Sequence, residues 1–158
     1  MPDKKIKLST DFSQPKLQEY KEKPQINNVC IKSAKHFVVG DGTFSELVRL
    51  NDQGKAEFED LEMPVKQVNY SMMIPGTIKA WHVHQNQDEI WYPTPQSGPL
   101  IIGLMDIREN SKTKGNVMRI IAGGGQARLI YIPRGVAHGV ANPTNKQAGL
   151  VYLVSNHF

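Results

Sequence analysis

Cysteine is almost absent: Cys30 is the one thiol in 158 residues, so no internal disulfide can form. A disulfide-stapled secreted scaffold is thereby excluded, and a reducing compartment, the cytoplasm, is expected. Cys30 itself reads as a small packed residue. Long apolar runs are missing too. None approaches the roughly 20 residues that a membrane-spanning helix needs, so no membrane partner is expected. The opening MPDKKIKLST holds no apolar leader core and predicts no secretory signal. Aromatic residues make up only 8% of the chain, and no basic stripe is interleaved with them. Nucleic acid is therefore not an expected partner, despite a net charge of +4. The surplus lysines read as a solvated surface that would mildly attract an anionic small molecule.

Sustained helical periodicity is the last absence, because proline and glycine keep interrupting the apolar pattern. What remains is a series of short strand-like runs separated by turn residues. They fall at 36–39, 44–50, 65–73, 78–84, 90–92, 100–107, 117–122, 128–132 and 149–155. The run at 100–107 is apolar at nearly every position, as a strand buried on both faces would be. The reading is one all-β sandwich or barrel over residues 29–158. A polar, proline-bearing arm precedes it over residues 1–28, with one helical turn expected near 16–21. Phe12, Leu17 and Tyr20 are placed to pin that arm to the body or to a partner subunit.

The chemistry gathers in two short stretches. Gly76-Thr77-Ile78-Lys79-Ala80-Trp81-His82-Val83-His84 runs through a polar turn to Glu89. On a strand, side chains two apart share a face, so His82 and His84 would project into one space. The second stretch is Pro133-Arg134-Gly135-Val136-Ala137-His138, closed by Asn142. Its Pro-x-Gly turn would end one strand and aim His138 at the same space. Three imidazoles and a carboxylate suffice for a divalent metal site or for base catalysis in a pocket. His36 and His157 stand apart and read as ordinary polar residues. Trp81, Trp91 and the Met72-Met73 pair read mainly as packing, although a tryptophan at a pocket rim can stack on a sugar.

The patterns G-x5-H-x-H-x4-E and P-x-G-x2-H-x3-N resemble the two motifs of the cupin superfamily and imply a jelly-roll β-barrel. In metal-binding cupins, residues matching His82, His84, Glu89 and His138 hold Fe, Mn, Ni, Zn or Cu. A closer resemblance extends from residue 41 to 158. Asp41-Gly42-Thr43-Phe44-Ser45-Glu46, Gln67-Val68-Asn69-Tyr70-Ser71, Met105-Asp106-Ile107-Arg108, Ile132–Gly139 and Val151-Tyr152 are similar, in order, to blocks of the dTDP-4-dehydrorhamnose 3,5-epimerase family. That resemblance implies a homodimeric isomerase of dTDP-sugar (rhamnose) biosynthesis that needs no cofactor. It would abstract a proton α to the ketone of a dTDP-4-keto-6-deoxy sugar. His82 matches the base, Lys79 an arginine near the diphosphate and enolate, His138 a second pocket histidine, and Tyr152 a tyrosine near the sugar. Phe44, Glu46, Gln67 and Asn69 match residues lining the nucleotide and sugar sites, and Trp91 is a further candidate contact. The chain departs from the family at Asp41 and Lys79, where arginines are usual, and at His84, where glutamine is. Phe158 falls where the family's acid tyrosine is expected, and the alternatives to an epimerase are a metal-dependent isomerase or dioxygenase and a non-catalytic sugar-binding cupin.

Overall fold

The computed structural model describes residues 22–58 and 60–157. The helical turn expected near 16–21 and the side chain of Phe158 lie outside them. The elements are all strands: β1 (Cys30–Ser33), β2 (Lys35–Val39), β3 (Gly42–Glu46), β4 (Lys55–Phe58), β5 (Leu61–Pro64), β6 (Gln67–Met73) and β7 (Ile78–His82). There follow β8 (Glu89–Pro93), β9 (Leu100–Asp106), β10 (Val117–Ala122), β11 (Arg128–Ile132), β12 (Val136–Ala141) and β13 (Ala148–Val154). A five-stranded sheet, β1-β11-β8-β13-β6, faces a four-stranded sheet, β10-β9-β12-β7. All pairings within these two sheets are antiparallel, which makes the jelly-roll sandwich implied by the two motifs.

Alternation along the strands explains the layers. On β9, β10 and β12, Leu100, Ile102, Leu104, Ile120, Val136 and Val140 point inward to meet Ile130, Ile132 and Leu150 of the opposite sheet. The other face of the five-stranded sheet is also covered. Ile90, Tyr92, Leu129 and Leu153 pack there with Ala56, Phe58 and Met63 of the β4–β5 hairpin. Strand β8 is consequently buried at every position. Strand β9, expected to be buried on both faces, is not: its outward residues are partly exposed, and Met105 is 39% exposed. The reason is that, among the described residues, no hairpin covers the outer face of the four-stranded sheet.

Several expected boundaries shift. The 44–50 run ends as a strand at Glu46, and Leu50 makes only an isolated bridge to Ala56. Strands β1, β4 and β5, of four residues each, fall outside the runs expected from the sequence. The end of the expected arm belongs to the body: Ile26 is 2% exposed within the core, and Arg108 donates to the carbonyl of Asn27.

Candidate active site

The edge strands β6 and β7 leave a cavity of about 300 Å³ between the two sheets. Lys79 and His82 of β7, His84 beyond it, and His138 and Val140 of β12 form one wall. Ser71, Glu89, Trp91, Leu150 and Tyr152, from β6, β8 and β13, form the other.

His82 and His84 both reach this cavity, but not by strand parity, because β7 ends at His82. His84 lies in the loop that follows, with its carbonyl accepting from the Gly135 amide at 2.8 Å. Lys79 and His82 are three apart, and strict alternation would send them to opposite faces. A bulge resolves this. His138 stands opposite His82 and Val140 opposite Lys79, so Ala80 and Trp81 together oppose Gly139. The extra residue restores Lys79 to the His82 side. Glycine is required beneath the bulge, since a Cβ at 139 would lie 2.5 Å from that of Ala80. Lys79 donates to Ser71 Oγ at 2.6 Å, linking the two edge strands.

Glu89 is the centre of the closed end. It is 3% exposed and accepts from Gln87 Nε2 at 2.8 Å and from Trp91 Nε1 at 2.5 Å. His84 Nε2 lies 3.1 Å from one carboxylate oxygen and His138 Nε2 3.7 Å from the other. A carboxylate this deep is tolerable only because both oxygens are engaged. The rings of His82 and His84 lie 6.2 and 5.3 Å from that of His138, and Trp91 meets His138 edge-on at 5.3 Å. His138 Nδ1 donates to the Val136 carbonyl at 3.0 Å, which leaves Nε2 without a proton in the neutral ring and beyond hydrogen-bonding distance of Glu89. Burial lowers the pKa of His138, outweighing the charge of Glu89, so the ring is held neutral. Burial, and then the Glu89 charge, raises that of Tyr152, so its phenol keeps its proton at neutral pH.

The structure thus gathers His82, Lys79, His138, Tyr152 and Trp91 in one place. Trp91 is a buried wall residue and a donor to Glu89, not a rim. Trp81, expected in packing, is 60% exposed and lies across Gly103 on the outer face. Gln67 and Asn69 sit on β6 beyond the lining and hydrogen-bond to each other at 2.6 Å, although Asn69 pairs in register with Tyr152. Phe44 and Glu46 are elsewhere. Phe44 stacks on Phe37 in the β2–β3 hairpin, and Glu46 pairs with Arg49 and Lys35. Of the four residues matched to a cupin metal set, three converge: ligand atoms of His84, Glu89 and His138 all lie within 4.8 Å of one another. His82 is outside that group. Sequence reading missed Gln87, which reaches Glu89 two residues on from a turn whose shape spacing does not give, and the Asp88–Arg134 contact, which joins segments far apart in the chain.

Comparison with known proteins agrees with this picture. Residues 23–158 match the family model for dTDP-4-dehydrorhamnose 3,5-epimerase. The spore coat polysaccharide biosynthesis protein SpsL of Bacillus subtilis is 38% identical over 115 residues, which is 72% of this chain and 70% of SpsL. The dTDP-4-dehydrorhamnose 3,5-epimerase of Mycobacterium tuberculosis is 33% identical over 91 residues, 57% of this chain and 45% of that protein. Among solved structures, RmlC from Legionella pneumophila, a dTDP-6-deoxy-D-glucose-3,5-epimerase in complex with dTDP-4-keto-L-rhamnose, superposes with a TM-score of 0.74 at 23% identity. That match covers 86% of this chain and 71% of RmlC, and at this identity it speaks for the fold. The match over nearly all of the sandwich, joined to the SpsL similarity, establishes that the chain belongs to the dTDP-4-dehydrorhamnose 3,5-epimerase family.

Proposed function

We propose that this protein is a cytoplasmic sugar-nucleotide 3,5-epimerase-like enzyme that acts on a dTDP-4-keto-6-deoxy sugar. The observation that carries this reading is that His82 and Tyr152 line facing walls of one cavity, on opposite sheets. His82 takes the proton from the carbon next to the ketone, and the electron pair of that C–H bond passes to the ketone oxygen. Lys79 supplies positive charge to the enolate as it forms. Tyr152 returns a proton to the other face of the carbon, and its phenolate is reprotonated from water. Neutral His138 offers Nε2 as a hydrogen-bond acceptor for a sugar hydroxyl. Phe44 and Glu46, distant from this cavity, would join it from a second copy, so the reading includes a homodimer.

Incubation with dTDP-4-keto-6-deoxyglucose in heavy water tests it. The expected result is deuterium at the carbons beside the ketone, with inversion. His82→Asn should lower both by about 100-fold or more. Tyr152→Phe should retain exchange and lose inversion. An unlabelled sugar after incubation with wild-type protein rejects the reading.

A second reading, a metal-dependent cupin enzyme, has the His84, Glu89 and His138 cluster for it and the family match against it. These residues fit a divalent first-row metal. The Val136 carbonyl orients His138, and Gln87 and Trp91 hold the carboxylate, as outer partners of a metal site do. Such an ion would polarise a carbonyl oxygen. Stoichiometric metal in purified protein, lost in His84→Ala, supports this reading, and metal-free active protein rejects it.

A further inference from the structure

His84 and Glu89 close the cavity from the two ends of a polar segment, Gln85-Asn86-Gln87-Asp88, that joins strands of different sheets. Ladder pairing stops at His82 and resumes at Glu89, so the segment between is held by individual hydrogen bonds from its neighbours. The main anchor comes from the β11–β12 turn. The backbone amide of Arg134 donates to Asp88 Oδ1 at 2.8 Å, and its guanidinium forks onto both oxygens, Nε at 3.1 Å and Nη2 at 2.7 Å. One residue further, the Gly135 amide donates to the His84 carbonyl. Both ends of the segment are therefore held by two consecutive residues. The turn is itself wedged. Gly135 has φ +79°, and a Cβ there would lie 2.7 Å from Cγ of Arg108, which is forked onto Asp106.

The contact is asymmetric. Asp88 is buried, and its backbone exchanges hydrogen bonds with Ser155 at 2.8 and 3.0 Å. The Arg134 side chain is 56% exposed and lines no part of the cavity. The arginine is half-exposed, yet its bidentate fork grips the last residue of the segment that joins the two site residues. We propose that Arg134 is a positioning residue: through Asp88 it sets the course of the crossing segment and with it where His84 stands against the ladder-held Glu89 at the closed end of the cavity. This rests on the epimerase reading for its kinetic arm only. The fork matters more than the charge, because lysine offers one point donor where arginine offers two parallel ones.

The test uses full-length Arg134→Ala, Arg134→Lys and Asp88→Asn. Displacement of a reacting-site group by about 1 Å can cost on the order of 100-fold in turnover. Arg134→Ala should therefore lower kcat about 10- to 100-fold while KM moves less than about 3-fold. Arg134→Lys should recover part of the loss. Asp88→Asn should resemble Arg134→Ala, and the double variant should be no worse than either single one. Histidine-ring NMR gives a readout independent of turnover. The His84 signals should move in Arg134→Ala, while those of His36, on the β2–β3 hairpin, stay in place. Wild-type protein inactive on the keto sugar would sink the epimerase reading alone, and the NMR arm would still decide the positioning role. Unmoved His84 signals overturn the proposal. So does a loss of kcat and KM together, in step with thermal unfolding and without recovery in the lysine variant.

Discussion

Two buried carboxylates flank the β11–β12 turn, and they are held in opposite ways. Asp106, opposite Val136 in the ladder, is 1% exposed. It accepts from Arg108 Nε and Nη2 at 2.8 and 2.9 Å, from Ser111 Oγ at 2.5 Å and from Thr113 Oγ1 at 2.6 Å. Glu89, opposite Ile132, is as deeply buried. Its donors are an amide and an indole, its other neighbours are imidazoles, and it opens on a cavity. A carboxylate neutralised by a guanidinium and closed off by hydroxyls locks loops together. A carboxylate left to imidazoles beside a cavity is placed to influence chemistry there.

The comparison breaks if the two cost the same to disturb. Asp106→Ala strands Arg108 in a half-buried site and should cost about 3–5 kcal/mol, read as a fall in the urea midpoint. Glu89→Gln keeps the volume and one acceptor, and should cost only about 1–2 kcal/mol while turnover falls. Equal stability losses would mean that Glu89, too, is chiefly structural.

The pH dependence of unfolding sharpens the contrast with smaller effects. The Arg108 guanidinium holds Asp106 far below the usual carboxylate range, despite burial. A depressed carboxylate contributes stability above the unfolded value, about pH 4, and loses it as pH falls toward the folded one. Urea midpoints should therefore drop below about pH 4, and Asp106→Asn should flatten that limb. At the Glu89 end, burial lowers the His138 pKa. Below the ordinary histidine value of about 6.5 the unfolded chain binds the proton first, so a shallower loss should begin there and vanish in His138→Gln. The reverse assignment of the two limbs would contradict the comparison.

Much of this molecule was legible in advance because strand parity and turn chemistry are local. Runs such as 117–122 and 128–132 appear as strands with those bounds, and the Pro133–Gly135 turn aims His138 as its spacing implied. What parity could not deliver was the placement of Lys79. Alternation sends it away from His82, and only pairing with β12 reveals the bulge over Gly139. Nor could spacing separate His82 from the His84–Glu89–His138 cluster, because that division depends on where β7 ends. Phe44 and Glu46 sit in a compact motif, but which layer receives their hairpin is a long-range matter.

From residue order alone came an all-β chain, a pair of histidine-bearing stretches and a family resemblance, all of them encoded over a few neighbouring positions. Three-dimensional packing alone decided that Arg134 holds Asp88, that His138 comes within 3.7 Å of Glu89, and that Tyr152 lines the wall opposite His82. These pairs lie on different strands, sheets or turns, far apart in the chain. Their distances are set by how the whole core closes, which no short window of sequence contains.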